Sequence, residues 1–171
     1  MIVPACIDYA LRLLDPAPSE QVLEFGCGRG VAAGLVCDRL TTGTLLALDR
    51  SITAIEHTVR RNAAHVESGR LRAQCAKLDE LGSLVAPASL DAAFGVNVNL
   101  FWTGTAEPEL AALAEALRPG GRLLLCYGAP PPGSTRRVTG VIAASLTAHG
   151  FTDVVEHDAP AGSAVSARRR P

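Results

Sequence analysis

The residues best suited to chemistry are three closely spaced glycines near the start of the chain, with acidic residues nearby. The glycine loop (residues 26–30) follows the apolar segment 21–25 and contains Gly26, Gly28 and Gly30. Glycine adopts positive φ and lets a ligand approach the backbone, so this run predicts a binding loop. A helix beginning after Gly30 would offer unpaired N–H groups to an anionic part of that ligand. Asp49 ends the next apolar segment, where its carboxylate can accept hydrogen bonds from ribose hydroxyls.

The type of ligand follows from charge and glycine spacing. A dinucleotide site usually has a third glycine at the position where Val31 stands. The carboxylate of Glu24 would repel a pyrophosphate but would suit a sulfonium or ammonium group. The pattern therefore favours S-adenosylmethionine over NAD, with S-adenosylhomocysteine as the product.

Apolar segments alternate with helical patterns along the rest of the chain. The expected strands are 21–25, 44–48, 70–75, 90–98, 122–127, 152–156 and 163–168. The expected helices are a short one ending at 14 and those at 31–40, 51–65, 78–84, 107–117 and 136–149. Continuous apolar strands that alternate with helices predict a parallel sheet covered on both faces. Only 160–162 separate the last two strands, so the final strand is expected to be antiparallel.

Composition limits the classes of protein to consider. The chain has 171 residues, of which 48% are hydrophobic and 19% charged, and its net charge is −1. These values fit one globular domain, with an N-terminal helix and lead-in at 1–18 and a core at 19–171. No broad basic surface for nucleic acid or an acidic membrane is expected. No signal peptide or membrane span is recognisable, so a cytoplasmic location is predicted.

The five cysteines have no spacing typical of a metal site or a disulfide framework. They are predicted to be small buried hydrophobic residues in a reducing compartment, and no metal is expected. Cys27 is interpreted as a turn residue rather than a nucleophile, since no histidine is near it in sequence.

Four segments resemble motifs of the class I S-adenosylmethionine-dependent methyltransferases. They are VLEFGCGRG at 22–30, LALDRS at 46–51, LDAAFGVN at 90–97 and LRPGGRL at 117–123. The resemblance implies an α/β doubly wound sheet of seven strands in the order 3-2-1-4-5-7-6, with helices on both faces. It also implies that Glu24 and the loop glycines lie near the methionine moiety, that Asp49 binds the ribose and that Arg50 lies beside the adenine.

One position departs from the family pattern. After the third strand the family often has an aspartate that meets the adenine amino group, whereas this chain has Ala76. Backbone atoms or Asp79 are left to make that contact. The full set of predicted cofactor contacts is Glu24, Gly26, Cys27, Gly28, Gly30, Asp49, Arg50 and Asn97.

The acceptor is expected at the end of the fourth strand, in the loop 97–103. The candidate acceptor contacts are Asn99, Trp102 (with Phe101 as a further apolar side chain) and Tyr127, with Asp8 and Tyr9 of the first helix as partial cover. His57, His65 and His149 are interpreted as surface or helix-end residues, so no general base is evident. An activated sulfonium mainly requires alignment, so this pattern remains compatible with an enzyme.

The leading hypothesis is methyl transfer from S-adenosylmethionine to a small-molecule acceptor by in-line displacement. A non-catalytic cofactor-binding or scaffold protein is the main alternative. An NAD(P)-linked oxidoreductase is disfavoured by Val31 and Glu24, and a protein or RNA methyltransferase by the absence of its usual signals. The acceptor atom (O, N, C or S) stays open, as does a homodimer whose second subunit covers the site.

Overall fold

A single mixed sheet organises the part of the chain that the computed structural model describes, residues 3–128 and 135–171, without the side chains of 135–137. Its strands are β1 (Gln21–Phe25), β2 (Thr44–Asp49), β3 (Leu71–Cys75), β4 (Leu90–Val96), β5 (Leu117–Gly128), β6 (Phe151–Ala159) and β7 (Gly162–Arg169). The helices are α1 (Ala5–Leu14), α2 (Val31–Cys37), α3 (Ile52–Arg61), α4 (Ala63–Glu67), α5 (Leu100–Thr103), α6 (Glu107–Ala116) and α7 (Thr135–Ala148), with a 3-10 helix at Leu78–Ser83. The proline-rich segment at 130–133 lies outside the described residues.

The strand order is β3-β2-β1-β4-β5-β7-β6, which confirms the order that the motifs imply. The first five strands are parallel, whereas β7 lies antiparallel to both β5 and β6, as the hairpin spacing predicts. The chain runs from β1 to β2 and β3 on one side of β1, and then crosses to β4 on the other side. Because the strand order reverses beside β1, a crevice opens at its carboxyl end.

Helices cover both faces of the sheet, and each face has its own apolar layer. On one face α1, α2 and the segment after α2 pack through side chains such as Leu11, Val36 and Leu40. On the other face the 3-10 helix, α6 and α7 contribute Leu81, Leu110 and Leu146. This arrangement explains the uninterrupted apolar run at 45–48 in β2, since a strand buried on both faces has no polar side. None of the helices among residues 3–128 and 135–171 is long and apolar enough to cross a bilayer.

Two elements differ from the sequence prediction close to the crevice. Strand β4 ends at Val96 rather than at residue 98, because Asn97 adopts a left-handed φ of 58°. The helix expected over 51–65 is divided at Asn62 into α3 and α4. The Asn62 side chain donates to the carbonyl oxygens of Thr58 and Gly30, which joins the end of α3 to the glycine loop.

The prediction that all five cysteines are buried is wrong for two of them. Cys27, Cys37 and Cys126 are buried, but Cys6 is only partly covered and Cys75 is exposed. Cys75 ends the edge strand β3, where only the β2 side of the strand has a neighbour.

Candidate active site

A cavity of about 570 Å³ lies at the carboxyl ends of β1, β2 and β4. Its lining residues come from the glycine loop, from the ends of these strands, and from the segments that follow β3 and β4. They are Phe25, Gly26, Leu48, Asp49, Arg50, Ala76, Lys77, Leu78, Asn97, Val98, Asn99, Leu100, Thr103 and Glu109. The volume is in the range typical of small-molecule sites.

The glycine loop has the backbone conformation that its sequence predicts. Gly26, Gly28 and Gly30 have φ values of +70°, +55° and +70°. A methyl group on Gly26 would also lie 2.7 Å from Cγ2 of Val98, so this glycine lets the loop after β4 approach the loop after β1. Both loops line the cavity at that point.

Side chains from the end of α3 hold the carbonyl groups of the glycine loop. The bonds are Thr58 Oγ1 to Gly28 O at 3.2 Å, Arg61 Nε to Arg29 O at 2.8 Å and Asn62 Nδ2 to Gly30 O at 2.9 Å. Three successive carbonyls therefore have fixed partners about 30 residues away in sequence. Sequence reasoning missed these donors, because no local pattern distinguishes them from ordinary helix residues.

Cys27 packs beneath the loop and faces α3. Its Sγ lies 3.4 Å from Oγ1 of Thr58. Burial raises the pKa of the Cys27 thiol to about 12, so the sulfur is neutral and is not a nucleophile at ordinary pH. Of the predicted contacts in the glycine loop, Gly26 lines the cavity, whereas Cys27, Gly28 and Gly30 do not.

Glu24 is the one ionisable group of β1, and its side chain is buried, with 3% exposed. Its Oε2 has no hydrogen-bond partner among the described residues. Burial, and secondly the charge of Asp49, raise the pKa of Glu24 to about 8. Strand alternation places it on the face covered by α2, so it does not itself line the cavity.

An unpartnered buried carboxyl group is costly unless a cation or a donor is placed near it. The charge interaction with Asp49, which does line the cavity, indicates that Glu24 lies close to it. Glu24 and Asp49 together therefore fit a ligand with a positively charged group better than a pyrophosphate.

Asp49 joins β2 to the glycine loop and lines the cavity. Its Oδ2 accepts a hydrogen bond from the Gly28 N–H at 3.0 Å, and its Oδ1 accepts one from the Ser51 N–H at 2.9 Å. The carboxylate thus orients the loop backbone, and each oxygen retains a further lone pair for a ligand hydroxyl.

The segment after β3 forms another part of the lining, with Ala76, Lys77 and Leu78 near Arg50. Asp79 is exposed and does not line the cavity, so the structure does not place it as the substitute for the missing aspartate. Glu109 from the first turn of α6 does line the cavity, and sequence reasoning missed it. Among the described residues no group of three or more His, Cys, Asp or Glu side chains is placed to hold a metal ion.

The segment after β4 is fastened by the end of β5. Tyr127 is buried and its Oη donates to the Val98 carbonyl at 2.8 Å, while the Gly128 N–H donates to Oδ1 of Asn97 at 2.8 Å. Asn97 and Asn99 both line the cavity. Tyr127 does not line the cavity but supports the loop from beneath, and its contact with a substrate stays a prediction.

The two aromatic residues of α5 have different environments. Phe101 is buried, and its ring lies 5.6 Å from that of Phe25. Trp102 is 41% exposed, and neither residue is part of the cavity lining. The predicted contact of this pair with the acceptor stays a prediction, and Phe25 and Leu100 provide apolar surface in the cavity.

The predicted cover by α1 is also not observed. Asp8 forms an exposed ion pair with Arg12 at 3.2 Å, and neither Asp8 nor Tyr9 lines the cavity. The helix packs on the sheet through its apolar side, and at its N-terminal end Sγ of Cys6 lies 3.9 Å from Nδ2 of Asn97. α1 thus supports the loop after β4 from the side.

The profile of the family described as "Methyltransferase domain" matches residues 22–121, which include the glycine loop and β1 to β4. This match covers more than half of the chain. The chain belongs to the class I S-adenosylmethionine-dependent methyltransferases. The matched segment includes all eight predicted cofactor contacts.

Two curated relatives are named as O-methyltransferases. The chain is 30% identical to an O-methyltransferase of Pyrenophora dematioidea and 32% identical to the nocamycin O-methyltransferase of Saccharothrix syringae, each over 127 residues. Each match covers 71% of this chain but only 46% and 42% of the respective relative. The chain therefore spans less than half the length of these methyltransferases.

Solved structures of the same fold are more distant in sequence. Geranyl diphosphate C-methyltransferase from Streptomyces coelicolor, in complex with Mg²⁺, geranyl diphosphate and S-adenosyl-L-homocysteine, has a TM-score of 0.73 at 12% identity, covering 96% of this chain and 78% of that one. The cyclase SpnF has a TM-score of 0.75 at 16% identity, covering 96% and 79%. At these identities the likeness establishes the fold alone.

Proposed function

We propose that the cavity binds S-adenosylmethionine and that the chain directs transfer of its methyl group to a small-molecule acceptor. The observation that carries this proposal is the position of the cavity, which lies where the glycine loop meets Asp49 in a chain of the methyltransferase family. Glu24 adds a buried carboxyl group whose Oε2 has no hydrogen-bond partner among the described residues, which fits a cationic ligand group.

Each contact in the proposed complex has a separate role. Asp49 would accept the ribose hydroxyls while its bonds to Gly28 and Ser51 keep the loop in place. Glu24 would stabilise the positive charge of the methionine part. The bound sulfonium supplies an activated methyl group, so the protein contributes alignment and exclusion of water.

The acceptor would lie near Asn97, Asn99 and Thr103, at the β4 side of the cavity. Amide and hydroxyl groups there can orient a polar acceptor, and Leu100 offers apolar contact. The names of the curated relatives support a small molecule and are compatible with methylation of oxygen. The cytoplasmic location, the single domain and the homodimer remain predictions.

The experiment that tests the proposal is a binding comparison among S-adenosylhomocysteine, NAD and NADP. Calorimetric titration is expected to detect the first and neither of the others. At a ligand concentration near 100 times Kd the native state gains about 2.7 kcal/mol, which raises the melting temperature by roughly 5–10 °C. A clear shift with NAD and none with S-adenosylhomocysteine would contradict the proposal.

A cofactor-binding protein without transfer activity is the second candidate. One observation favours it. No described residue of α1 lines the cavity, so this helix does not cover the acceptor side. Incubation with methyl-labelled S-adenosylmethionine and a panel of phenols, amines and thiols distinguishes the two. Transfer to any acceptor supports the enzyme, whereas cofactor binding without transfer across the panel supports the alternative.

A further inference from the structure

A second concave surface, separate from the cavity described above, lies where the glycine loop meets α3. It has a volume of about 390 Å³ and is lined by Arg29, His57, Arg60 and Arg61, which we call the basic groove. The basic groove shares no lining residue with the cavity. It combines one side chain from the glycine loop with three from a single face of a helix.

Two cations of the basic groove, Arg29 and Arg60, form no ion pair in the described part of the chain. Within the described part of the chain no carboxylate lies within 4.0 Å of a charged nitrogen of Arg29 or Arg60, whereas Arg12, Arg118 and Arg122 each have such a partner. Glu56 precedes Arg60 by four residues, the spacing of a helical ion pair, yet these two side chains form none.

The three groove residues of α3 lie near the C-terminal end of that helix. Arg60 and Arg61 follow His57 by three and four residues, so their side chains lie on the same side of the helix as His57. The protein as a whole has a net charge of −1, so the cluster does not reflect a generally basic surface. A local excess of cations around a concave surface is typical of a site for an anion.

We propose that the basic groove binds a small molecule bearing phosphate groups. Guanidinium groups present paired N–H donors that match phosphate oxygens, which distinguishes an arginine-rich site from a general positive patch. The volume of about 390 Å³ accommodates a diphosphate-sized group.

A ligand in the basic groove would contact the same elements that hold the glycine loop. Arg61 donates to the Arg29 carbonyl at 2.8 Å, and one turn earlier Thr58 donates to that of Gly28. An anion that bridges Arg29 and Arg60 therefore strengthens the contact between the loop and α3. A second effect rests on the proposed function. Because the anion holds the glycine loop against α3, it would raise the affinity of the cavity for S-adenosylhomocysteine.

The experiment is a calorimetric titration of the full chain with inorganic pyrophosphate at constant ionic strength. The unaltered protein is expected to show saturable binding. Arg60→Gln and Arg29→Gln should each raise the Kd by about tenfold or more, because each removes a charged donor. Arg170→Gln is the matched control, since Arg170 is exposed and remote from the groove, and it should leave the Kd within about twofold.

Three outcomes overturn the proposal: no saturable binding, binding that disappears when sodium chloride replaces part of the buffer at equal ionic strength, or an equal loss in Arg170→Gln. A nucleoside diphosphate titrated in parallel distinguishes two kinds of natural ligand. A lower Kd than that of pyrophosphate indicates that the groove binds a phosphate ester. An equal Kd indicates that it binds the free anion. Because this measurement does not use S-adenosylhomocysteine, its result is independent of the proposed function.

Discussion

A proton count on ligand binding tests the role of Glu24 directly. With a pKa of about 8, the buried carboxyl group is protonated at pH 6.5 in the free protein. A cationic ligand group placed near Glu24 and Asp49 favours the ionised form, so binding should release the Glu24 proton into the buffer. The ligand's own amino group has an ordinary pKa near 8 and is already charged at pH 6.5, so it takes up no proton.

The magnitude follows from the difference between the free and bound states. If the pKa of Glu24 falls below about 5.5 in the complex, the release approaches one proton per bound ligand. Titration with S-adenosylhomocysteine in two buffers of different ionisation enthalpy measures this number. Glu24→Gln keeps the shape of the side chain and should release none, with a higher Kd. An enthalpy that is the same in both buffers for the unaltered protein would refute the reasoning.

The same substitution has an expected effect on the free protein. Because the pKa of Glu24 is about 8 when folded and 4.5 as the reference value, the unfolded chain ionises first as pH rises. The free energy of unfolding should therefore decrease between about pH 4.5 and 8, by about 3–5 kcal/mol in total from this group. Urea denaturation at pH 5 and pH 8 should show a smaller decrease for Glu24→Gln, and an equal decrease would mean that Glu24 is solvated.

Three further substitutions test the other parts of the site. Asp49→Ala should raise the Kd of S-adenosylhomocysteine about ten- to a hundredfold, because a charged acceptor for the ribose hydroxyls is lost. It should also lower the unfolding free energy by about 1–2 kcal/mol, because the Gly28 and Ser51 N–H groups lose their acceptor. An unchanged Kd in calorimetry would contradict the assigned role of Asp49. Trp102→Ala should lower the unfolding free energy by less than about 2 kcal/mol and leave that Kd within about twofold, since the side chain is 41% exposed; a loss of about 3–5 kcal/mol on chemical denaturation would show a core residue. Gly26→Ala should be more destabilising than Gly28→Ala by about 1 kcal/mol or more, because both have positive φ but only Gly26 adds a 2.7 Å contact; equal melting temperatures would be inconsistent with the close approach of the two loops.

The fold was largely predictable because its determinants are local in sequence. Continuous apolar strands and the short spacing before β7 predict a parallel sheet with an antiparallel last strand, and the motifs imply the strand order that is observed. The positive φ of the loop glycines follows from their residue type. The position of Asp49 at the cavity likewise follows from its place at the end of a strand next to β1.

The parts that were not predictable depend on contacts between distant segments. The donors on α3 are about 30 residues away from the carbonyls that they hold, and Glu109 reaches the cavity from α6. Phe101 and Trp102 are adjacent in sequence, and only the short helix α5 determines that the first is buried and the second exposed. No periodicity over four residues could have separated them.

The attachment of the loop after β4 to β5 limits how the acceptor preference of this protein can change. Residues 97–99, the β4 loop, border the cavity. Their position depends on hydrogen bonds donated by Tyr127 and Gly128, which belong to β5. An exchange of the β4 loop between relatives would transplant the lining side chains without the groups that hold their backbone. A change of substrate by recombination or design therefore requires the two segments to be inherited together, although almost 30 residues separate them in the gene product.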